Sequence, residues 1–250
     1  METLLEVRGI TKRFGGLMAI RDVDLTIQRG EIVGIIGPNG AGKTTLVNCV
    51  SGLDKPTAGR IVFRGRDITA TAGHLIGRMG IARTFQVVKP LKQLCVRDNV
   101  AIGAMFGRGG AGRSTAKARA VADRILAQVG LAHRSQQRAA ELTIADLKRL
   151  ELAKTLAMEP ELVFLDEVMA GLNQTEIERA MGLVRDIHES GVTVVFIEHV
   201  MKVVMGMSHR VIVLHHARKI ADGPPDQVIE RPEVIEAYLG ERFARRGRPA

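Results

Sequence analysis

The sequence predicts an α/β fold: a parallel-sheet core, an antiparallel β-region before it, and a helical region inserted into it. Strand-length apolar runs alternate with helical segments in both halves of the chain, which is typical of parallel sheets with right-handed crossovers. Residues 94–158 instead follow a helical pattern throughout. Near the amino end, apolar and polar residues alternate over residues 23–27, which indicates a half-exposed antiparallel sheet.

The first predicted strands are residues 4–8 and 20–27, and a pair of glycines forms the turn between them. The apolar, β-branched run at residues 31–36 predicts a buried parallel strand. A glycine-rich turn and a helix over residues 43–50 follow it. Further short strands are predicted at residues 60–63, 81–84, 162–165, 192–197 and 211–214. Longer helices are predicted at residues 115–129, 145–157 and 176–189, with short helices ending near residue 240.

The composition is that of an ordinary globular chain of 250 residues, with 46% hydrophobic and 25% charged residues. The formal net charge of +9 would suit nucleic acid or an anionic membrane surface. However, aromatic residues make up only 3%, with no tryptophan and one tyrosine, so few side chains could stack on bases. The basic residues are scattered except in the last ten residues. We therefore expect no nucleic-acid partner.

No apolar run approaches the roughly 20 residues that a membrane-spanning helix needs, and the first residues do not follow the order of a secretory signal. We therefore expect the chain to stay in the compartment where it is made. Cys49 and Cys95 are far apart in the sequence and offer neither a disulfide framework nor metal-ligand spacing. Both are expected to be reduced thiols.

The glycine-rich turn matches the phosphate-binding pattern G-x4-G-K-[ST]. Its residues are Gly37, Pro38, Asn39, Gly40, Ala41, Gly42, Lys43, Thr44 and Thr45. Glycines allow successive backbone N–H groups to point at one phosphate, and the following helix adds its positive end. Lys43 is expected to lie against the β- and γ-phosphates, and the Thr44 hydroxyl to ligate Mg²⁺. The pattern predicts an ATP–Mg²⁺ site.

Two carboxylates follow the apolar strand at residues 162–165. Asp166 lies at the carboxyl edge of a parallel sheet, where it is expected to reach the Mg²⁺ shell through water. Glu167 is one residue further on, where it is expected to act as the general base that polarises the attacking water. A strand that ends in acidic residues is common, and only together with the phosphate-binding loop does this pair indicate hydrolysis of a nucleoside triphosphate.

With these motifs in this order, residues 4–240 resemble an ABC-transporter nucleotide-binding domain. The resemblance implies one ABC ATPase domain at residues 3–240, with an antiparallel β-subdomain and a RecA-like phosphate-loop core. That core would comprise about residues 1–86 and 159–223. The helical subdomain would occupy about residues 87–158, and residues 241–250 would form a basic tail.

The resemblance also implies roles for single residues. Gln86 matches the glutamine that ligates Mg²⁺ and links the core to the helical subdomain. His199 matches the switch histidine that contacts the γ-phosphate, and Phe14 matches the aromatic residue that stacks on adenine. The loop after the carboxylates resembles the D-loop, although Asn173 replaces its usual aspartate; its residues are Gly171, Leu172 and Asn173. From the residues alone, Phe14 could equally be a core aromatic and His199 a surface residue.

The signature motif departs from the family pattern, in which Leu-Ser-Gly-Gly-Gln closes the ATP site of a partner subunit. Here Leu142 precedes Thr143, Ile144, Ala145 and Asp146, so a hydroxyl remains but both glycines are replaced. Thr143 and Asp146 also match a helix capping box. We hypothesise that this signature closes the partner's site less well than the partner closes this one. The alternative is that the Thr143 hydroxyl suffices and both sites are fully active.

Several stretches, including residues 11–16, 80–86, 198–208 and 232–240, resemble the ATPases of branched-chain amino-acid importers. The resemblance implies two permease subunits, a second and different ATPase subunit, and an extracytoplasmic substrate-binding protein. It also places the chain peripherally at the cytoplasmic face of the plasma membrane. Urea and short-chain-amide importers and lipopolysaccharide exporters share much of the pattern, so these cargoes remain alternatives.

Three other function classes share parts of this pattern. A soluble ABC ATPase acting on DNA or ribosomes would normally carry two cassettes or a long coiled-coil insertion, and neither is in the sequence. A metabolic phosphate-loop kinase would need an acceptor pocket and a lid in place of the signature helix. A binding-only regulatory subunit is disfavoured because both Glu167 and His199 are present.

Overall fold

The computed structural model describes residues 2–85, 88–110, 113–198 and 200–239, within which the chain forms ten strands and nine α-helices. The strands are β1 (Thr3–Phe14), β2 (Leu17–Gln28), β3 (Ile32–Ile36), β4 (Ala58–Phe63), β5 (Arg66–Asp67), β6 (Ile81–Arg83), β7 (Leu162–Asp166), β8 (Thr193–Ile197), β9 (Arg210–His215) and β10 (Arg218–Gly223). The helices are α1 (Lys43–Val50), α2 (Gly73–Met79), α3 (Val96–Phe106), α4 (Thr115–Gln128), α5 (Ile144–Ala157), α6 (Gln174–Glu189), α7 (Met201–Met207), α8 (Pro225–Ile229) and α9 (Pro232–Leu239).

The chain divides into two compact units, which we call unit 1 and unit 2. Unit 1 comprises Met1–Thr71 and Thr193–Ala250, and unit 2 comprises residues 72–192. Unit 1 carries the antiparallel β-region, the phosphate-binding loop and the carboxyl-terminal elements. Unit 2 carries the helices α2 to α6 together with β6 and β7. The subdivision expected from the sequence, with a helical subdomain at about residues 87–158, stays a prediction.

The antiparallel sheet of unit 1 has the strand order β2-β1-β4-β5. The strand predicted at residues 4–8 ended too early, because β1 continues to Phe14. The pairing of β1 with β2 shifts register between Val7 and Ile10, and Gly9 between them has a positive φ of 56°. This irregularity lies where the predicted strand ended, and the pairing resumes beyond it.

Unit 1 also contains the parallel strands that position the phosphate-binding loop. All five residues of β3 are buried, and β3 pairs in parallel with β8 on one side and β9 on the other. A strand buried on both faces needs apolar residues at successive positions, which explains the unbroken run in the sequence. Gly34 within β3 has no room for a side chain, since a Cβ would lie 2.7 Å from the Ser208 hydroxyl. The carboxyl end of β3 leads directly into the loop.

In unit 2, β6 and β7 pair in parallel and α3 packs against α4 and α5. Gly103 allows the close approach of α3 and α5, because a Cβ there would clash with the Lys154 carbonyl oxygen. The pairing of β6 with β7 places the end of β6 beside the end of β7, where the two carboxylates begin. Within the ranges that the model describes, we find no helix long and apolar enough to cross a membrane.

Each predicted helix is a helix and each predicted strand a strand in the structure, and most predicted boundaries lie within one or two residues of the observed ones. The helix predicted at residues 43–50 has those bounds. Helices α2 and α7 and strands β5 and β10 were not predicted. The turn before β10 uses His216 and Ala217 at φ of 46° and 64°, where glycine or asparagine would have indicated a hairpin.

Candidate functional site

The phosphate-binding loop of unit 1 uses glycine where backbone and packing require it. Gly37 has a φ of 150° and Gly42 a φ of 105°. A Cβ on Gly37 would clash with the Leu214 carbonyl oxygen, and one on Gly42 would lie 2.5 Å from the Ala19 carbonyl oxygen. Gly40, at a φ of 78°, lies in open space at the exposed tip of the loop. The loop therefore has room for a ligand at its tip while its two ends are packed.

Lys43 folds over the loop that it follows. Its side chain is buried, and its Nζ donates hydrogen bonds to the Gly37 and Pro38 carbonyl oxygens at 2.7 and 3.1 Å. The ammonium charge is thereby held within the turn where the pattern places the phosphates. Helix α1 begins here without a side-chain cap from Gly42 and without an acidic residue in its first turn. Thr44, at the second position of the helix, is exposed. The loop thus presents a cation, a hydroxyl and the positive end of a helix.

Phe14 lies at the end of β1 and is 46% exposed, so it is not a core aromatic. The Lys12 Nζ lies 4.6 Å from the centre of its ring. The ring therefore has a free area on which a planar group could stack.

In unit 2, Asp166 ends β7 and is almost fully buried. Its carboxylate forms an ion pair with Arg83 at 3.2 Å, and its backbone N–H donates to the Thr84 hydroxyl at 2.9 Å. Arg83 was not predicted as a site residue. It lies at the end of β6, in register with Phe164, so only the strand pairing brings it to Asp166. No spacing in the sequence indicates that contact.

Glu167 follows Asp166 with a φ of 50°, a conformation that costs energy for a residue with a side chain. It is partly exposed. A small cavity of about 10 Å³, enough for roughly one water molecule, is lined by both carboxylates. The other lining residues are Thr84, Phe85, Val88, Lys148, Glu151 and Val168. Glu167 therefore lies beside a space of about the size of one water molecule.

The D-loop residues lead into α6. Gly171 has a φ of 74°, Leu172 is half-buried, and Asn173 caps the helix. The Asn173 Oδ1 accepts a hydrogen bond from the Glu176 N–H, and the Glu176 carboxylate accepts one from the Asn173 N–H. This is a complete capping box, which the sequence signals as Asn-x-x-Glu but which was not predicted. The residue in the usual aspartate position therefore stabilises the helix start.

The altered signature forms the start of α5. The Thr143 hydroxyl accepts from the Asp146 N–H at 3.2 Å and donates to the Asp146 carboxylate at 2.9 Å. The predicted capping box is therefore only half right, because the Asp146 carboxylate accepts from the Thr143 hydroxyl and not from the Thr143 N–H. Ile144 is 78% exposed, and Ala145 follows it.

Arg134 and Arg149 surround the Asp146 carboxylate, at 3.3 and 3.7 Å. The hydroxyl of Thr143 and the carboxylate of Asp146 are therefore both occupied within this unit. Two other predicted residues, Gln86 and His199, lie outside the residues that the structure describes.

Comparisons with known proteins identify the family. The family model described as ABC transporter matches residues 20–170, and the model described as branched-chain amino acid ATP-binding cassette transporter matches residues 218–244. The chain belongs to the ABC transporter family. It is therefore an ATP-binding and ATP-hydrolysing subunit of an ABC transporter, as the sequence predicted.

Two curated relatives of this ABC ATPase match over almost their whole length. The high-affinity branched-chain amino acid transport ATP-binding protein LivG of Salmonella typhimurium is 38% identical over 254 residues, covering 96% of this chain and 99% of LivG. BraF of Pseudomonas aeruginosa, of the same description, is 38% identical over 250 residues, covering 95% and 98%.

Solved structures agree with the fold. A nucleotide-free ATP-binding cassette from an ABC transporter superposes with a TM-score of 0.85 at 29% identity, covering 96% of this chain and all of the other. The ADP conformation of an ATP-binding cassette has a TM-score of 0.84, also at 29% identity and with the same coverage. The predicted phosphate-loop core with antiparallel and helical parts is thereby confirmed as the ABC ATPase fold.

Proposed function

We propose that the chain drives an importer of branched-chain amino acids from the cytoplasmic face of the membrane. The observation that carries this proposal is the match of residues 218–244 to the carboxyl-terminal model of branched-chain amino acid cassettes. The 38% identity to LivG and BraF over nearly the whole chain supports it further. The partners would be two permeases, a second ATPase subunit and, through the permeases, a substrate-binding protein.

The nucleotide is ATP, and we propose that Mg²⁺ accompanies it. Thr44, exposed in the first turn of α1, would supply a hydroxyl ligand, and Asp166 would reach the ion through water. Gln86 is proposed as a further ligand from the resemblance alone. Hydroxyl, carboxylate and amide oxygens are the ligands that Mg²⁺ prefers. The buried ion pair with Arg83 supports an ionised Asp166, since the guanidinium stabilises the charged form.

We assign the binding of the phosphates to the loop. Lys43 and the backbone amides of residues 37–45 would hold the β- and γ-phosphates, and Phe14 would stack on the adenine. The positive end of α1 and the buried ammonium group support this assignment. Placing positive groups around a triphosphate offsets the charge that develops as the γ-phosphoryl group leaves.

Glu167 is proposed as the general base of hydrolysis. Its position directly after Asp166, lining the one-water cavity together with it, supports this assignment. A carboxylate within hydrogen-bond reach of a water can orient it for in-line attack and accept its proton. His199 is proposed, from the resemblance, to contact the γ-phosphate during that step.

We further propose that the second ATPase subunit differs from this chain. The Thr143 hydroxyl donates its only proton to Asp146, so it has none left for a phosphate across a dimer interface. A partner with an unaltered signature would then close the site of this chain, whereas this chain would close the partner's site less well. The competing possibility is that Thr143 turns to the phosphate when ATP binds.

The cargo is tested by reconstituting the transporter with its permeases and binding protein in lipid vesicles. Phosphate release is measured with the binding protein loaded with leucine, with urea or with no ligand. We expect leucine to stimulate hydrolysis and urea to have no effect. Stimulation by urea but not by leucine would overturn the proposed cargo while leaving the ATPase assignment intact.

A further inference from the structure

The last residue of β6 and the residue after it hold Asp166 at two points. The Thr84 hydroxyl accepts a hydrogen bond from the Asp166 N–H at 2.9 Å, and the Arg83 guanidinium contacts the Asp166 carboxylate at 3.2 Å. The side chains of Arg83 and Asp166 are only 7% and 1% exposed, so water screens their ion pair little. This contact fixes where the carboxylate points, because turning it away would give up an ion pair that water cannot replace.

The guanidinium of Arg83 is itself held in place. Its Nε donates to the Thr84 carbonyl oxygen at 3.3 Å while its Nη2 donates to Asp166, and its Cζ lies 5.0 Å from the centre of the Phe85 ring. The Arg83 carbonyl oxygen accepts from the Thr155 hydroxyl of α5 at 3.3 Å. A planar guanidinium donates in fixed directions, so these contacts set its orientation as well as its position. The ammonium group of a lysine has no such fixed geometry.

Stability alone does not require a charged residue at this strand end. Ile81 and Ala82, the other residues of β6, are buried and apolar. Burying two charges costs free energy, and replacing a buried ion pair by apolar residues is often neutral or stabilising. What the pair supplies is a defined direction for the Asp166 carboxylate, which lines the one-water cavity together with Glu167. The pair therefore serves the site more than the fold.

We propose that Arg83 is a positioning residue, which orients the Asp166 carboxylate toward the metal ion that accompanies the nucleotide. Arg83 would bind neither the ion nor the nucleotide. Removing a residue that hydrogen-bonds to a metal-binding side chain typically weakens metal affinity or activity about ten- to hundredfold. The inference rests on the proposed role of Asp166 toward Mg²⁺ and adds the residue that orients it.

The test measures how much Mg²⁺ tightens nucleotide binding by the full chain. Calorimetry with the ATP analogue AMP-PNP gives one dissociation constant in Mg²⁺ and one in EDTA. The ratio of the two isolates the contribution of the metal, because a variant that disturbs only the nucleotide contacts changes both constants equally. R83M removes the guanidinium and keeps an unbranched apolar chain, whereas R83K keeps the positive charge without the planar group.

R113M is the matched control. Arg113 is another largely buried arginine of unit 2, and it forms an ion pair with the Glu159 carboxylate at 3.1 Å. We expect Mg²⁺ to lower the dissociation constant of the wild type and of R113M alike, and R83M and R83K to lose most of that gain. Urea unfolding of each variant verifies that it folds. If R83M does not fold, R83K decides, because it keeps a positive charge beside Asp166.

A full or larger gain in R83M would overturn the positioning role, since Arg83 would then be dispensable or would merely compete with the metal. A full gain in R83K would overturn it as well, because positive charge alone would suffice, and so would an equal loss in R113M. D166N separates these failures from failure of the site. A full gain in D166N, or no gain in the wild type, would instead refute the proposed Mg²⁺ site on which the inference depends.

Discussion

At the scale of single residues, the glycines of the phosphate-binding loop serve two different needs. At Gly37 and Gly42 a side chain would clash with the carbonyl oxygens of Leu214 and Ala19. At Gly40 the surroundings are open, and only the positive φ of 78° favours glycine. The ends of the loop are thus fixed by packing, while its tip keeps the backbone freedom that a bound phosphate requires.

Cys49 and Cys95 should differ sharply in reactivity. Cys49 is buried in α1, and burial raises the pKa of its thiol to about 11, whereas Cys95 is half-exposed. At pH 8 only about one Cys49 in a thousand would then be a thiolate, which is the reactive form. We expect iodoacetamide at pH 8 to modify Cys95 long before Cys49, as followed by peptide mass spectrometry.

The control for this labelling is the chain unfolded in urea, where both thiols should react at similar rates. Because the pKa of Cys49 is raised to about 11, its thiolate fraction should rise about tenfold with each pH unit above 8 and reach one half only near pH 11. Equal labelling of both cysteines in the folded chain would show that Cys49 is accessible and refute its burial.

At the scale of elements, the helix starts decide how the functional loops are held. Helix α6 begins with a complete capping box from Asn173 and Glu176, and α5 with the hydroxyl of Thr143. Helix α1 begins at Lys43, and Gly42 before it supplies no side-chain cap. Among these three, the uncapped start is the one that follows the phosphate-binding loop, where a ligand can satisfy the N–H groups.

Removing the cap of α6 should loosen its first turn. N173A leaves the Glu176 N–H without its acceptor, and the loss of an asparagine cap costs about 0.5–2 kcal/mol. We expect the backbone amides of residues 175–177 to exchange hydrogen about two to thirty times faster, as measured by mass spectrometry or NMR. N173D keeps the acceptor and is the control. If N173A and N173D exchanged alike, the capping role would be wrong.

Much of this architecture could be predicted from the sequence because its signals are local. The helix Lys43–Val50 and the buried strand before it follow from an apolar run and a glycine motif. Strand β10 could not be predicted, since its turn uses residues that rarely adopt a positive φ. The partner of Asp166 was also missed. Arg83 is distant from it in sequence, and only strand pairing brings the two together.

At the scale of the whole molecule, the proposed machinery is shared between two compact units. Unit 1 holds the phosphate-binding loop, Phe14 and α9, whereas unit 2 holds Asp166, Glu167 and the altered signature. The units are discontinuous in sequence, because residues 193–250 return to unit 1. Substitutions in unit 1 can therefore alter nucleotide binding, and substitutions in unit 2 can alter the proposed general base, so that the two contributions can be measured separately.

The altered signature predicts unequal ATP sites in the assembled transporter. E167Q in this chain should lower phosphate release about a hundredfold, the scale of losing a general base, because this site would be closed by the partner's signature. The same change at the partner's equivalent glutamate should lower phosphate release far less. E189Q, at the exposed end of α6, is the control and should have no effect. Equal losses from the two glutamate changes would contradict the asymmetry.

The most direct measurement of the central claim is a crystal structure of the full chain with Mg²⁺ and ADP. We predict that the Lys43 Nζ lies within about 3 Å of a β-phosphate oxygen, with the backbone amides of residues 39–44 donating to the same phosphate. Density for the nucleotide elsewhere on the chain, with the Lys43 Nζ still bonded to the Gly37 and Pro38 carbonyl oxygens, would contradict the account.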